Sequence, residues 1–296
     1  MRERFGDQMQ EHVSLAPYTS ARIGGQADIL VTARNSDELF NAAQACWNAD
    51  LPFTLLGAGS NILVSDQGVR GLVILNKAKA SSFRTNHEPT VWAESGVVLS
   101  NLAHRSAAQG FTGLEWAATV PGTVGGAVYG NAGAFGSDIA HNLLRAEILT
   151  DSGRAWWPVE KMEYDYRSSL LKHSTDKAII LSAEFRLKIG TSEIIKATID
   201  KFTTSRKASQ PPGASMGSMF KNPPGDFAGR LIESAGLKGT RIGNAEISTI
   251  HGNFFISNGE TRAADVRALI LLVQKTVKEK FNVALELEVE LIGEWE

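Results

Sequence analysis

The chain has 296 residues, enough for one large domain or for two to three ordinary ones. A hydrophobic fraction of 43% and a charged fraction of 21% are those of a globular protein. Thirty basic against 32 acidic residues leave a net charge of −2, which argues against nucleic acid or an anionic lipid surface as a partner.

A single cysteine, Cys46, excludes an internal disulfide and any multi-cysteine metal site. The six histidines have no metal-ligand spacing, so no metal site is expected. "MRERFGDQMQEHV" carries charge and has no apolar h-region, and no apolar run of about 18 residues follows it. A cytoplasmic protein that does not meet a membrane is the expectation.

"ADILVTA" (27–33) reads as a strand, and Ser36 then opens a helix to about Ala49, with Asp37 and Glu38 complementing its N-terminus. "PFTLL" (52–56) is a second strand, running straight into "GAGSN". "GLVIL" (71–75) and "VWAES" (91–95) continue the strand pattern, and Leu99 to Gln109 is a helix closed by Gly110. Residues 113–136 hold seven glycines, too many for the interior of a regular element. "LLRAEILTDSGRAWWPV" (143–159) reads as a hairpin around Asp151-Ser152-Gly153, and "AIILSAEFRL" (178–187) as a strand.

A helix is expected from Ser192 to about Lys207. "SMGSMFKNPPG" (215–225) then fits neither the helical nor the strand period, and Pro211, Pro212, Pro223 and Pro224 flank its centre. A helix near "FAGRLIESAG" and a strand at "NFFIS" follow. Thr261 to Phe281 is a helix with Val266, Leu269, Ile270, Val273 and Val277 on one stripe. In "ALELEVELIG" (284–293) leucines and valine alternate with glutamates, as in a strand with one apolar and one acidic face. The fold class is therefore α+β. A glycine-punctuated part spans residues 1–190, with subdomains of about 1–75 and 76–190. A smaller part covers 191–282, and a terminal strand lies within 283–296.

Two serine motifs can be weighed. Gly213-Ala214-Ser215-Met216-Gly217 matches the nucleophile elbow, which needs a strand before its serine and a helix after it. Ser218-Met219-Phe220-Lys221 matches Ser-x-x-Lys, but the companion Ser-Asp-Asn and Lys-Thr-Gly motifs do not occur. A serine hydrolase is the minority reading. In Gly57-Ala58-Gly59-Ser60-Asn61 small residues let backbone N–H groups approach an anion. Ile62 stands where the dinucleotide fingerprint needs a third glycine, so that fingerprint is not met. Alone, the loop could equally be a tight turn. With "TVPGTVGGAVYGNAGAFG" (119–136) as a second backbone-exposing segment, the pair suggests a large ligand with a diphosphate and flat rings.

"TSARIGGQADILV", "LLGAGSNILV", "VPGTVGGAVYGNAGAFG", "YDYRSSLL", "GSMFKNP" and "LELEVELIG" occur in that order. Through these six motifs, which span essentially its whole length, the chain resembles the UDP-N-acetylenolpyruvoylglucosamine reductase family. The resemblance implies the FAD-binding fold of the vanillyl-alcohol-oxidase/PCMH type, with a smaller C-terminal α+β substrate-binding domain. It implies an oxidoreductase that uses NADPH, through FAD, to reduce UDP-N-acetylglucosamine enolpyruvate to UDP-N-acetylmuramate in peptidoglycan precursor synthesis. Neither glycine loop holds a His or Cys that could tether a flavin, so the FAD is expected to be noncovalent.

By resemblance, Gly57, Ala58, Gly59, Ser60, Asn61 and Ile62 cradle the diphosphate. Val120, Pro121, Gly122, Val124, Gly125 and Gly126 line the flavin, with Ile179 added to the cofactor set. Arg22 reads equally as a cofactor-side charge or an exposed structural arginine. Arg167 matches the residue holding the substrate carboxylate, Ser218 the proton donor, and Glu288 the glutamate that assists at the enolic intermediate. Periodicity alone does not choose among Glu286, Glu288 and Glu290; the resemblance chooses Glu288. Tyr166, Arg206, Gln210, Lys221 and Asn222 fall on the substrate side, although Arg206 and Gln210 read equally as a solvated helix end. The chain lacks the insertion of the family's longer branch, which carries an extra tyrosine loop. An FAD-dependent oxidase of the same cofactor fold is the competing flavoenzyme reading.

Overall fold

The computed structural model describes residues 5–85, 88–174 and 177–295. Strands β1 (Met9–Ser14) and β2 (Gln26–Ala33) precede helix α1 (Ser36–Asn48). Asn35 caps α1 by accepting the Glu38 amide at 2.8 Å, and Asp37 and Glu38 occupy its first turn. Strands β3 (Phe53–Leu56), β4 (Ile62–Val64), β5 (Val69–Asn76), β6 (Ser81–Arg84) and β7 (Thr90–Glu94) follow, and then α2 (Leu99–Ala108).

The glycine-rich segment departs from the sequence expectation, because its centre forms a helix, α3 (Val124–Gly130). Thr123 caps it by accepting the Gly126 amide at 3.3 Å, and Asn131 closes it at φ 45°. Val124 and Val128 on its inner side are fully buried. Two caps and that burial offset the roughly 1 kcal/mol that each glycine costs a helix.

Beyond it, β8 (Leu143–Thr150) and β9 (Gly153–Pro158) form the expected hairpin, followed by β10 (Ala178–Arg186) and α4 (Ser192–Ser209). The proline-flanked stretch gives a second departure, since β11 (Ala214–Ser218) forms within it. Next come α5 (Ala228–Ser234), β12 (Arg241–Ile242), β13 (Ala245–Ile247), β14 (Phe254–Ser257), α6 (Ala263–Phe281) and β15 (Glu290–Ile292). In β11, Ala214 faces Ser257 and Ser215 faces Ile256, but the register slips before Ser218, which faces Phe254. Gly217, at φ 77°, absorbs that bulge. The acidic–apolar alternation of 284–293 yields only the short β15, parallel to β4, and an isolated bridge from Leu287 to Phe220.

The chain divides into two compact units. One takes the residues up to Met9, Val31–Ala58 and Val73–Arg206. Its antiparallel sheet runs β9-β8-β10-β7-β6. The core sets Ala93, Ala146, Ile148, Ala183 and Phe185 of that sheet among Leu99, Leu102, Val124 and Val128. Central β10 is buried along almost all of its length, which accounts for its largely apolar composition. Glu94 is also buried, and its carboxylate accepts the Ser36 amide at 2.7 Å, the Ser36 hydroxyl at 2.9 Å and the Ala80 amide at 2.7 Å.

The other unit takes Gln10–Leu30, Gly59–Leu72 and the chain from Lys207 onward. Its sheet runs β11-β14-β13-β12. Val266, Leu269, Ile270, Val273 and Val277, the predicted stripe of α6, are buried in one cluster with Met216, Phe220, Ile247 and Phe255. Asp66, between β4 and β5, accepts the Ala263 and Ala264 amides at 2.8 and 2.9 Å and so caps α6 from a distant part of the chain. Among the described residues no helix is long and apolar enough to cross a membrane.

Asp66→Ala leaves two first-turn amides of α6 without their acceptor and is expected to cost about 1–2 kcal/mol. Asp66→Asn keeps one acceptor oxygen and is expected to lose less. Urea unfolding followed by circular dichroism checks both; equal stability of all three proteins would contradict the capping role.

Candidate active site

In the first unit, β3 delivers Gly57 beside the start of α3. A Cβ on Gly57 would stand 2.8 Å from Thr123 Oγ1, so the approach of these two segments requires glycine. A Cβ on Gly125 would stand 2.9 Å from the Ser95 Cβ. The Val124 amide donates to the Val97 carbonyl at 2.8 Å and the Gly125 amide to the Ser95 carbonyl at 2.7 Å. These two amides are therefore committed to the protein. What this segment offers a ligand is closely approachable glycine surface rather than a row of N–H donors. Thr119 Oγ1, beside Val120, is buried without a hydrogen-bond partner among the described residues. Glycine surface that a Cβ would fill, together with an orphaned hydroxyl on Thr119, fits a flat, polar-edged group such as a flavin. Ile179 is buried in β10 opposite Leu149.

Arg167 sits at φ 55° on a tight turn closed by mutual backbone hydrogen bonds between Asp165 and Ser168 at 3.1 and 3.2 Å. Its guanidinium donates to the Gly133 carbonyl at 2.9 Å and to the Asn131 carbonyl at 3.5 Å. Asn131 is itself buried, accepts the Ala140 amide at 3.1 Å and donates to the Asp165 carbonyl at 3.0 Å. It thus joins the end of α3 to the turn that carries Arg167. Tyr166, on the same turn, is half exposed, with the Arg167 guanidinium 5.5 Å from its ring centre. Arg206 donates to the Thr119 carbonyl. Burial draws its guanidinium below the ordinary arginine range, and the Arg167 charge draws it further.

In the second unit, Gly59 at φ 58° packs so tightly that a Cβ would stand 2.4 Å from the Tyr18 carbonyl oxygen. Asn61 follows, and its side chain donates to the Glu288 carbonyl at 2.9 Å while its own carbonyl accepts the Glu290 amide at 3.0 Å. The Glu288 amide in turn donates to the Met219 carbonyl at 2.9 Å. The Lys221 amide donates to the Glu286 carbonyl at 2.9 Å. Ser218 ends β11 one residue before Met219, so the backbone brings the chosen serine and the chosen glutamate together.

On the other side of this segment lies Asn253, which is 3% exposed. Its side chain accepts the Phe220 amide at 2.9 Å and donates to the Phe220 carbonyl at 2.8 Å. Asn131 and Asn253 were not legible in the sequence, because an isolated asparagine carries no pattern that marks it.

The remaining candidates divide. Lys221 pairs with Glu286 at 2.6 Å. Asn222 Oδ1 accepts the Ala228 amide at 3.0 Å at the start of α5. Gln210 follows the end of α4 and is partly buried. Arg22, at φ 57°, donates its amide to the Thr19 carbonyl at 3.1 Å. Ser215 lies inside β11 with no helix after it, so the nucleophile elbow is absent. Ser218 is at a strand end rather than a helix start, which removes the Ser-x-x-Lys reading as well. Among the described residues no cluster of His, Cys, Asp or Glu could hold a metal.

Residues 27–157 match the FAD binding domain family, so the class is that of a flavoprotein. Residues 208–292 match the family described as UDP-N-acetylenolpyruvoylglucosamine reductase, C-terminal domain. The chain is 41% identical over 297 residues to the UDP-N-acetylenolpyruvoylglucosamine reductase of Chloroflexus aggregans, covering 99% of this chain and 100% of that one. It is 42% identical over 280 residues to the same-named protein of Rubrobacter xylanophilus, covering 95% and 94%. The crystal structure of the reductase from Thermus caldophilus superimposes with a TM-score of 0.82 at 35% identity, covering 96% of this chain and 99% of that one. The chain belongs to the UDP-N-acetylenolpyruvoylglucosamine reductase family, a family of oxidoreductases with an FAD-binding domain.

Gly57→Ala is expected to weaken FAD binding about tenfold or more, the scale of overpacking a tight contact. Adding Thr123→Ala removes the Oγ1 and Cγ2 atoms that the new methyl meets and should restore part of the loss. Titration of the apo protein with FAD, followed by flavin fluorescence, measures both; unchanged affinity in Gly57→Ala would contradict the cradle.

Proposed function

We propose that this chain uses NADPH to reduce the enolpyruvyl double bond of UDP-N-acetylglucosamine enolpyruvate, giving UDP-N-acetylmuramate for peptidoglycan precursors. The observation that supports it most is the 2.9 Å hydrogen bond from the Glu288 amide to the Met219 carbonyl, which sets Glu288 beside the segment bearing Ser218. Gly57 to Ile62 and Val120 to Gly126 would hold FAD, with Thr119 supplying a buried polar contact. Bound FAD would supply the hydride chemistry between the nicotinamide and the substrate. Residues 1–190 form the cofactor region in this reading. The substrate domain is 191–282, and 283–296 brings in Glu288.

The roles of the side chains follow from charge. Reduction at the terminal carbon leaves an electron pair conjugated with the substrate carboxylate, and the resulting enolate needs cationic stabilisation. Arg167 is permanently charged and shaped to grip a carboxylate with two donors, and Arg206 adds a second positive charge. Ser218 then gives a proton to the carbon that bears the carboxylate. A serine hydroxyl is a weak acid, but an enolate carbon is a strong enough base to take its proton. Glu288 assists at the enolic intermediate. Lys221, Asn222, Gln210 and Tyr166 face the nucleotide and sugar portions.

Ser218→Ala separates the two halves of the cycle. In the holoenzyme, bleaching of the flavin absorbance by NADPH is expected to keep its rate. Its return on addition of the enolpyruvyl substrate is expected to slow by about 10²–10⁴-fold, the usual cost of losing a general acid. Ser218→Cys, which still carries a proton, should retain more activity than alanine. Stopped-flow absorbance follows both phases; slow bleaching in the alanine variant, or a normal return, would sink the proton-donor role.

A further inference from the structure

The glycine loop that holds the cofactor in this reading ends in a side chain directed at another segment. Asn61 Nδ2 donates to the Glu288 carbonyl at 2.9 Å, and the Asn61 carbonyl accepts the Glu290 amide at 3.0 Å. Only the NH₂ end of an amide can face a carbonyl oxygen, so the orientation of the Asn61 side chain is fixed by its partner. Asn61 therefore grips Glu288 and Glu290 at once, from one side of the 286–290 segment.

The other side of that segment is gripped by residues 219–221. The Glu288 amide donates to the Met219 carbonyl at 2.9 Å, the Lys221 amide donates to the Glu286 carbonyl at 2.9 Å, and Leu287 bridges Phe220. Residues 219 and 220 are held in turn by Asn253, through the Met219 amide to its carbonyl at 2.8 Å and the two side-chain bonds to Phe220. Loop 59–62, segment 286–290, segment 218–221 and Asn253 thus form one continuous hydrogen-bonded ladder. The regular strand β15 begins only at Glu290, so at Glu288 there is no sheet to set the backbone. A side chain takes the place of the missing strand.

We propose that Asn61 is a positioning residue for Glu288: its side-chain amide fixes the backbone of the glutamate in register with Ser218 and ties that register to the diphosphate loop. The proposal rests on the assignment of Glu288 and Ser218 above. It gives Asn61 a task distinct from cofactor contact, since its side-chain donor is directed to Glu288.

Asn61→Asp tests it with almost no change of shape, because a carboxylate oxygen then faces the Glu288 carbonyl in place of a donor. Asn61→Ala serves as the second variant should the aspartate fold poorly. Hydrogen exchange measured by mass spectrometry on the apo protein is expected to speed up in peptides covering 286–290. In the FAD-loaded protein, flavin bleaching by NADPH is the reference phase, expected to slow less than the flavin's return. Its return with the enolpyruvyl substrate should slow about 10- to 100-fold, the usual cost of removing a residue that orients a functional group.

Unchanged exchange at 286–290 in both variants would overturn the proposal. So would equal slowing of the two phases, or loss of FAD with normal rates once the cofactor is restored. Glu288→Gln run alongside separates the two levels. If Glu288→Gln slows the return and the Asn61 variants do not, positioning by Asn61 is wrong while the role of Glu288 stands. If Glu288→Gln is without effect, the assignment of Glu288 fails and the role of Asn61 falls with it.

Discussion

The hydrogen bond between the Glu288 amide and the Met219 carbonyl is the constraint from which the second unit's site follows. Hydrogen-bonded backbones lie about 5 Å apart, within reach of short side chains acting on one substrate atom. Neither segment has a regular sheet to hold it there. β11 stops at Ser218 and β15 starts at Glu290, so the intervening backbone is fixed by a single bridge and by the amides of Asn61 and Asn253. Side-chain amides suit that task. Each has both a donor and an acceptor, and buried Asn253 loses heavily if displaced, because its groups would be left unsatisfied.

The first unit meets a different demand, which is to orient positive charge through backbone carbonyls. Arg167 donates to the carbonyls of Gly133 and Asn131, which orients the guanidinium while leaving its charge uncancelled by them. Arg206 is partly withdrawn from water and feels the Arg167 charge, an arrangement that costs stability. The strained Arg167 backbone fits the same view, since a non-glycine residue at φ 55° is tolerated when its surroundings hold it there.

Much of this was legible in the sequence where local chemistry decides the outcome. The stripe of α6 and the Asp151-Ser152-Gly153 turn follow from periodicity and turn preference, and the structure reproduces both. The departures come where distant parts of the chain decide. Glycines 125, 126 and 130 lie in a helix because Thr123 and Asn131 cap it and the core takes up its valines. Residues 214–218 form a strand despite the prolines at 211, 212, 223 and 224 because β14 supplies the partner. The alternating glutamates look equivalent along the chain. They are distinguished by contacts across it, with Glu286 on Lys221 and Glu288 held by Asn61 and Met219.

The proposed cooperation of Ser218 and Glu288 is tested most directly by a double-mutant cycle on the return of flavin absorbance with the enolpyruvyl substrate. Ser218→Ala, Glu288→Gln and the double variant are compared with the parent by stopped flow. Groups held in register to act on one carbon are expected to be strongly non-additive, with the double variant little slower than Ser218→Ala alone. A double variant slowed by the product of the two single effects would show that the residues act independently, and would contradict the coupling that the ladder implies.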